Sequence, residues 1–566
     1  MGVYVSTSNV STNIDSNKLQ SATRPIVWSI AGSDSGGGAG IQADSLTIND
    51  LGGHACTVVS AITAQNSQHV QGITATQTAM LIKQLDCLLE DIPPAAIKIG
   101  MLANAEQIRC ISEWLASKLA SYEQTNNLQI PVIWDPVMVS TSGQTLSRYK
   151  QPSSYSAYLK LAKYVTLITP NRYELGVLLE LSQLPNHAQQ EELTNLDNLA
   201  NFLGCNILYT GGDVRNSESH NAALAISATK ESALYSSALD HGSAIDWLAA
   251  KAIPFTSPEH QHQRIGFSSP RVVTQHNHGT GCTLSSAIAT AMAVGYPLLD
   301  AIVVAKAYVH QGLTYAYPVG KGPGVLARKG WPQNLEHFAK IIVPKYPNIN
   351  QANELSFANV QQPLQVYPVT QSINILKDVL KGGARTVQLR LKNSSSVVYS
   401  EQQLEQAIQA AVALGRQYQA QVFINDHWQL AIKHGAFGVH LGQEDLLQAD
   451  LSQIAEAGLA LGLSSHGYFE LLLAQQMSPS YLAIGHIFST PTKSMPSQPQ
   501  GLNKLEKYCT LMGDRMPLVA IGGIDHTNLC ALKQTQVADV AVVRAIEKAS
   551  EPGKSWQKLQ QIWQAM

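Results

Sequence analysis

Short runs of apolar and β-branched residues recur along most of this chain, each separated from the next by a stretch with helical spacing. That alternation is the strongest constraint on the fold, because successive parallel strands need a long crossover, usually a helix, to connect them. In the first half the runs lie at 26–30, 56–63, 96–99, 132–135, 165–169 and 206–210. In the second half they lie at 366–370, 387–391, 422–425, 438–441, 460–464, 482–487, 518–521 and 540–543, with helical stretches such as 402–414 and 527–532 between several of them. Eight strand–helix units in about 200 residues predict a compact (β/α)8 barrel, with an open doubly wound sheet as the competing architecture. A chain of 566 residues also exceeds what one core usually spans, so two domains are expected.

The glycine-rich segment around 321–323 ends the first pattern, and the polar, Pro/Asn/Gln-rich stretch that follows reads as a linker. The expected division is an N-terminal extension at 1–24, a first domain at 25–342, a linker at 343–363 and a second domain at 364–566. The extension lacks the apolar core of a secretory signal, and no run approaches the roughly 20 apolar residues of a membrane span. A net charge of −2 without a basic run argues against nucleic acid as a partner. Seven cysteines without a CxxC pair read as reduced thiols, not as a zinc site or disulfide framework. The expectation is a cytoplasmic enzyme acting on small molecules, with self-association left open.

Two regions carry chemistry on their residues alone. The first is His278-Gly279-Thr280-Gly281-Cys282, followed by small and apolar residues that open a helix. Glycines there let backbone N–H groups converge on an anion, and a helix N-terminus adds about half a positive charge. The same field would favour the thiolate of Cys282, which could then accept a proton from an attacking hydroxyl. A glycine turn beside a buried thiol is an equal reading at this point. Separately, Gly38-Ala39-Gly40-Ile41-Gln42-Ala43 fits a dinucleotide fingerprint, but no acidic residue is clearly placed about 20 positions on.

The second region is the set of strand ends in the later half. Gln388, Arg390 and Lys392 alternate, which would put all three on one face of the sheet. Asn425-Asp426 and Gln443-Glu444-Asp445 end successive strands, and two carboxylates so placed suit magnesium that keeps waters and binds substrate phosphates. A Ser489-Thr490-Pro491-Thr492-Lys493 loop and an Ile521-Gly522-Gly523 turn complete the group. Cations, acids, hydroxyls and a glycine turn at one end of a barrel point to a substrate with several phosphates.

The Gly279–Cys282 segment resembles the anion hole of the ribokinase-like superfamily, in the form found in hydroxymethylpyrimidine/phosphomethylpyrimidine kinases. The likeness extends through Ala31-Gly32-Ser33-Asp34, Gly37–Asp44, Thr63–Asn66, Lys98–Met101, Asp135–Met138 and Thr169–Glu174. It implies an α/β/α sandwich that phosphorylates hydroxymethylpyrimidine and its phosphate with ATP and magnesium. By that resemblance Gln65, Asp44 and Met101 form the pyrimidine pocket. Asn171, Glu174, Gly279, Thr280 and Gly281 serve ATP and the anion hole, and Cys282 is catalytic. Where this family has Lys-Gly-Gly, the chain has Thr210-Gly211-Gly212, which removes a point charge near the nucleotide phosphates, and 227–266 is a longer excursion.

Residues 364–550 resemble thiamine phosphate synthase, a TIM barrel. That likeness implies that Gln388, Arg390, Lys392, Asn425, Ser464 and Lys493 hold a pyrimidine diphosphate, with Lys493 catalytic. Asp426 and Asp445 would carry magnesium, while Thr490, Thr492 and Gly523 bind thiazole phosphate. The two resemblances together imply a bifunctional thiamine-pathway enzyme. The alternative is the same barrel fused to a pyridoxal-type or non-catalytic kinase-like domain.

Overall fold

The computed structural model describes residues 24–138, 152–184, 192–211, 242–250, 263–343, 355–393, 398–446, 448–489 and 498–565. Their strands form one ten-stranded sheet and one closed eight-stranded barrel. The sheet comprises β1 (Ile26–Gly32), β2 (His54–Gln65), β3 (Val70–Ala75), β4 (Ala96–Ile99), β5 (Val132–Trp134), β6 (Leu167–Ile168), β7 (Asn206–Tyr209), β8 (Ser243–Ala250), β9 (Gln263–Pro270) and β10 (Lys340–Ile342). Its order is β10-β9-β8-β7-β6-β5-β4-β1-β2-β3. The centre is parallel, while β3 and the β8–β10 side pair antiparallel.

Neighbouring residues of the central strands feed two separate cores. Val27, Ala96, Ile133 and Leu208 pack on one face, whereas Trp28, Ile97, Trp134 and Tyr209 pack on the other. A parallel strand covered on both sides has no solvent face, which is why these runs read as continuously apolar. The helices Thr280–Ala293 and Leu298–Thr314 line the first face, and Thr78–Asp91, Ala105–Trp114 and Arg172–Leu181 the second. The expected α/β/α sandwich is therefore present. Part of the predicted excursion at 227–266 builds the β8 and β9 hairpin strands that extend the sheet.

The barrel closes β11 (Val366–Thr370), β12 (Thr386–Leu389), β13 (Gln421–Asn425), β14 (Gly438–Leu441), β15 (Ala460–Ser465), β16 (Tyr481–Ile484), β17 (Leu518–Ile521) and β18 (Asp539–Val542), all parallel. This is the (β/α)8 barrel and excludes the open sheet. Tyr367, Phe423 and Tyr481 meet edge to face inside it, with ring centroids 5.2–6.0 Å apart.

One hydrophobic core runs from the sandwich into the barrel. At the junction the buried Asp300 accepts a hydrogen bond from the Phe469 N–H at 2.8 Å, at the start of the barrel helix Tyr468–Gln475. Trp331 Nε1 donates to the Tyr468 hydroxyl at 3.0 Å, and Gln476 exchanges two hydrogen bonds with the Ile341 backbone. A helix of one half thus has its N-terminal amides satisfied by the other.

Candidate active sites

The helix Thr280–Ala293 begins at Gly279, whose φ of 82° lies in the left-handed region. A side chain there would also overlap the Gly38 carbonyl oxygen, so the two glycine-rich segments interlock. Asp34 secures the contact. Its carboxylate accepts N–H bonds from Gly36, Gly38 and Ala39 at 2.8–3.0 Å and pairs with His278 Nε2 at 2.9 Å. Those partners depress the Asp34 acid although burial opposes them. Because an internal carboxylate already occupies these amides, the segment is not a dinucleotide cradle. Gly281 is exposed, and Thr280 and Cys282 are half-buried, so the predicted anion hole opens outward.

Beneath it lies a buried polar cluster. Asp44 accepts from Lys98 Nζ at 2.8 and 2.9 Å, from Ser29 at 2.5 Å and from Ser286 at 2.7 Å. Asp44 and Lys98 are both 0% exposed. Asp44 therefore lies under the pocket, committed to protein partners, and does not line the pocket as the resemblance implied. Burial alone would lower the Lys98 ammonium, but Asp44 overrides it and the net shift is upward. Asp135, buried and accepting from Ser285 at 3.3 Å, is pushed above the usual carboxylate range by burial.

Burial also pushes the Cys282 thiol up to about 12; Lys98 and the Gly40 N–H act against this, while Asp44 and Asp135 reinforce it. This reverses the expectation of a stabilised thiolate: desolvation and two nearby acids outweigh the helix terminus. Gln65, half-buried, ends β2 at a register irregularity, and Met101 is 7% exposed, with the Ser60 hydroxyl on its carbonyl oxygen. Asn171 and Glu174 form a reciprocal capping box with bonds of 2.9 and 3.0 Å. Thr210 bridges to Asn171. Nearby Lys306 is held by Asp246 at 2.6 Å, and the other Asp246 oxygen accepts from the Gly211 N–H, so Lys306 does not stand in for the missing cation.

In the barrel, β12 ends at Leu389, so of the three alternating residues only Gln388 is on the strand. Its side chain enters the lumen and donates to Asn425 Oδ1 at 2.6 Å. Arg390 and Lys392 stand on the segment beyond, at the mouth. There Lys392 Nζ lies 3.1 Å from Asp426, whose φ of 64° turns the chain sharply after β13. Burial and the facing Asp426 raise the Asp445 acid. Two carboxylates brought together, with Lys392 beside Asp426, fit a divalent cation that retains waters and substrate oxygens.

Ser464, half-buried at the end of β15, lies 2.8 Å from His440 Nε2, and Gln443 Nε2 donates to its carbonyl oxygen at 2.5 Å. Burial, aided by Arg390 and Lys392, lowers His440 to about 4. Gly523, with a φ of 70°, follows β17 beside Phe488 and Ser489. Thr490, Thr492 and Lys493 lie outside the described residues. Sequence reasoning missed Lys98, the Asp34–His278 clasp and His440. A lone lysine within the apolar β4 was the available signal for the first.

A phosphomethylpyrimidine kinase family model matches residues 34–250 and 255–327, and a thiamine monophosphate synthase family model matches 365–546. The chain is 50% identical over 202 residues to a thiamine-phosphate synthase of Yersinia pestis (strain Pestoides F), covering 36% of this chain and 89% of that one. Among solved structures it is similar to a Staphylococcus aureus pyridoxal kinase in complex with AMP-PCP (24% identity, TM-score 0.42, covering 56% of this chain and 98% of that one). It is also similar to a Clostridium difficile 630 phosphomethylpyrimidine kinase (28%, TM-score 0.36, covering 50% and 98%).

Proposed function

Since the chain belongs to the phosphomethylpyrimidine kinase family through its first half and to the thiamine monophosphate synthase family through its second, we propose that the first site makes the pyrimidine diphosphate that the second consumes. The chain is a bifunctional enzyme of thiamine biosynthesis. Its kinase half transfers phosphoryl groups to hydroxymethylpyrimidine and its phosphate, and its barrel joins the diphosphate to thiazole phosphate. The observation that supports the barrel assignments is that Arg390, Lys392, Asp426 and Asp445 meet, partly exposed, at one end of the barrel.

In the kinase half, the exposed start of the helix Thr280–Ala293 receives the transferring phosphoryl group on its free amides, with ATP as donor. Gln65 reads the pyrimidine edge through its amide, and Met101 packs against the ring. Phosphoryl transfer through a loose transition state asks little of a base, so a protonated Cys282 thiol is compatible with it. The substrate hydroxyl becomes acidic as its new P–O bond forms, and its proton leaves late to a phosphoryl oxygen, while the Cys282 S–H donates a hydrogen bond to the transferring group.

In the barrel, Gln388, Arg390, Lys392, Asn425 and Ser464 hold the diphosphate, and Asp426 and Asp445 would hold magnesium, which supplies neutralising charge to the departing pyrophosphate. Arg390 and Lys392 stabilise the same negative charge as the C–O bond breaks. The thiazole nitrogen then closes the C–N bond. Thr490, Thr492 and Gly523 are assigned to the thiazole phosphate, and Lys493 to the pyrophosphate. We assign residues 25–342 and 364–566 to the two catalytic units.

Incubating the purified protein with hydroxymethylpyrimidine, ATP, magnesium and thiazole phosphate, and following each species by mass, tests the sequence of steps. Cys282→Ala is expected to abolish phosphorylation while leaving coupling of supplied diphosphate intact, and Asp426→Ala to do the reverse. Full phosphorylation by the first variant removes Cys282 from the reaction, and full coupling by the second at limiting magnesium removes Asp426.

A further inference from the structure

A line of four hydrogen-bonding groups descends from the barrel mouth into its lumen. Ser464 Oγ lies 2.8 Å from His440 Nε2, His440 Nδ1 lies 2.7 Å from the Tyr481 hydroxyl, and that hydroxyl lies 3.0 Å from the Tyr367 hydroxyl. Exposure falls to 6% at His440, 0% at Tyr481 and 1% at Tyr367. The mouth end is half-buried, beside Arg390, Lys392 and Asp426, whose charges act on His440. The lower end is enclosed by Phe423, Val369, Val519 and Ala541. Gly462 pairs with Tyr481 across the sheet, and any side chain at that glycine would overlap the Tyr481 ring. The tyrosine therefore reaches the axis only because its neighbour is glycine.

A neutral imidazole has one N–H, so such a line can run in one of two directions. If Ser464 donated inward, each group would pass its hydrogen down the line, and the Tyr367 O–H would end in the apolar lumen without an acceptor. Among the described residues the Tyr481 hydroxyl is the one hydrogen-bond partner of that oxygen. Stranding a buried hydroxyl biases the line against this direction by about tenfold or more. In the other direction every donor is used: Tyr367 donates to Tyr481, Tyr481 to Nδ1, and Nε2–H to Ser464 Oγ. The Ser464 hydrogen is then left over, at the mouth.

We propose that Tyr367, Tyr481 and His440 form an oriented relay that holds the Ser464 hydroxyl as a donor aimed at the substrate diphosphate. They are positioning residues acting through Ser464. The bond is worth most when pyrophosphate leaves, because negative charge grows on the accepting oxygen as the C–O bond breaks. A chain of aligned donors also strengthens its terminal bond by polarisation. The inference rests on the reading of the barrel as a synthase that contacts diphosphate through Ser464.

Tyr481→Phe keeps the ring and removes the donor to Nδ1. In single-turnover coupling of supplied pyrimidine diphosphate we expect a rate about tenfold lower, with the KM for thiazole phosphate unchanged. The unchanged KM for thiazole phosphate and an unaltered barrel unfolding midpoint in the same variant verify folding. In a Ser464→Ala background the same change is expected to cost less than about twofold, because the relay has lost its target. In protein carrying 15N-histidine, the signal that disappears in His440→Gln is expected to report protonated Nε2. A protonated Nδ1, an unchanged rate in Tyr481→Phe, or an equal loss in both backgrounds would each overturn the relay. If Ser464→Ala alone leaves coupling intact, the diphosphate reading of Ser464 falls and the relay loses its purpose, while the nitrogen signals still fix its direction.

Discussion

The two halves handle phosphate with opposite arrangements of charge. Under the kinase anion hole, Asp44 and Lys98 are 0% exposed and Asp135 is 4% exposed, and their charges are answered by protein groups. What faces outward is the helix start at Thr280–Cys282. At the barrel mouth, Arg390, Lys392, Asp426 and Asp445 remain at least partly exposed, and two acids face each other. Buried ions require partners supplied by the fold, whereas exposed ones can wait for a ligand to complete them. On the proposed assignment, the first site would offer preformed neutral donors to a nucleotide that brings its own charge, and the second would be completed by the diphosphate and its cation.

If that contrast is right, removing a charge should damage stability in the first half and mainly activity in the second. Lys98→Ala strands the Asp44 carboxylate and is expected to destabilise the kinase half by about 3–5 kcal/mol in urea unfolding. Replacing both partners by apolar residues of similar volume should recover most of that. A loss below about 1 kcal/mol for the single change would mean that Asp44 is not an uncompensated buried charge without Lys98.

The junction between the halves shares the buried character of the first. Burial raises the Asp300 acid to about 7, although the Phe469 and Tyr468 backbone N–H groups favour its charged form. An acid raised in the folded state contributes stability while protonated there, and that contribution is lost as pH rises from the unfolded value near 3.8 through about 7. Asp300→Asn keeps an acceptor for the Phe469 amide without the charge. We expect it to match the parent near pH 4 and to exceed it by roughly 2–4 kcal/mol near pH 8. A gap independent of pH, or a parent more stable at pH 8, would show that the helix terminus compensates the charge fully.

Strand positions were legible where an apolar run ends in glycine or a polar turn, as at Gly438–Leu441 and Leu518–Ile521, both found at the predicted bounds. At β12 the paired residues end at Leu389, two short of the expected bound, although Gln388, Arg390 and Lys392 keep their period of two into the mouth. The β8–β10 side was hidden by its mixed polarity and by the long separations of its antiparallel partners. Long-range pairs left even less trace. Asp44 and Lys98 are 54 positions apart, and His278 and Asp34 are 244 apart. The Cys282 expectation failed for the same reason: the helix terminus is visible in a sequence, but the burial of the thiol and the acids that fold in beside it are not.

The smallest expected effect decides between two roles for one motif. Asn171 and Glu174 were assigned to ATP and its magnesium by resemblance, yet their side chains close a reciprocal cap on the helix Arg172–Leu181. Asn171→Ala should lower stability by about 1 kcal/mol in either case. Asn171→Ser separates them, because serine caps nearly as well but has no amide. If the motif serves the helix alone, the serine variant keeps both parental stability and the parental KM for ATP. If the amide also touches nucleotide or its hydrated cation, stability is kept while the KM for ATP rises several-fold. An unchanged KM would confine Asn171 to the fold. The kinase site would then present to nucleotide chiefly backbone donors, the sharpest form of its contrast with the charged barrel mouth.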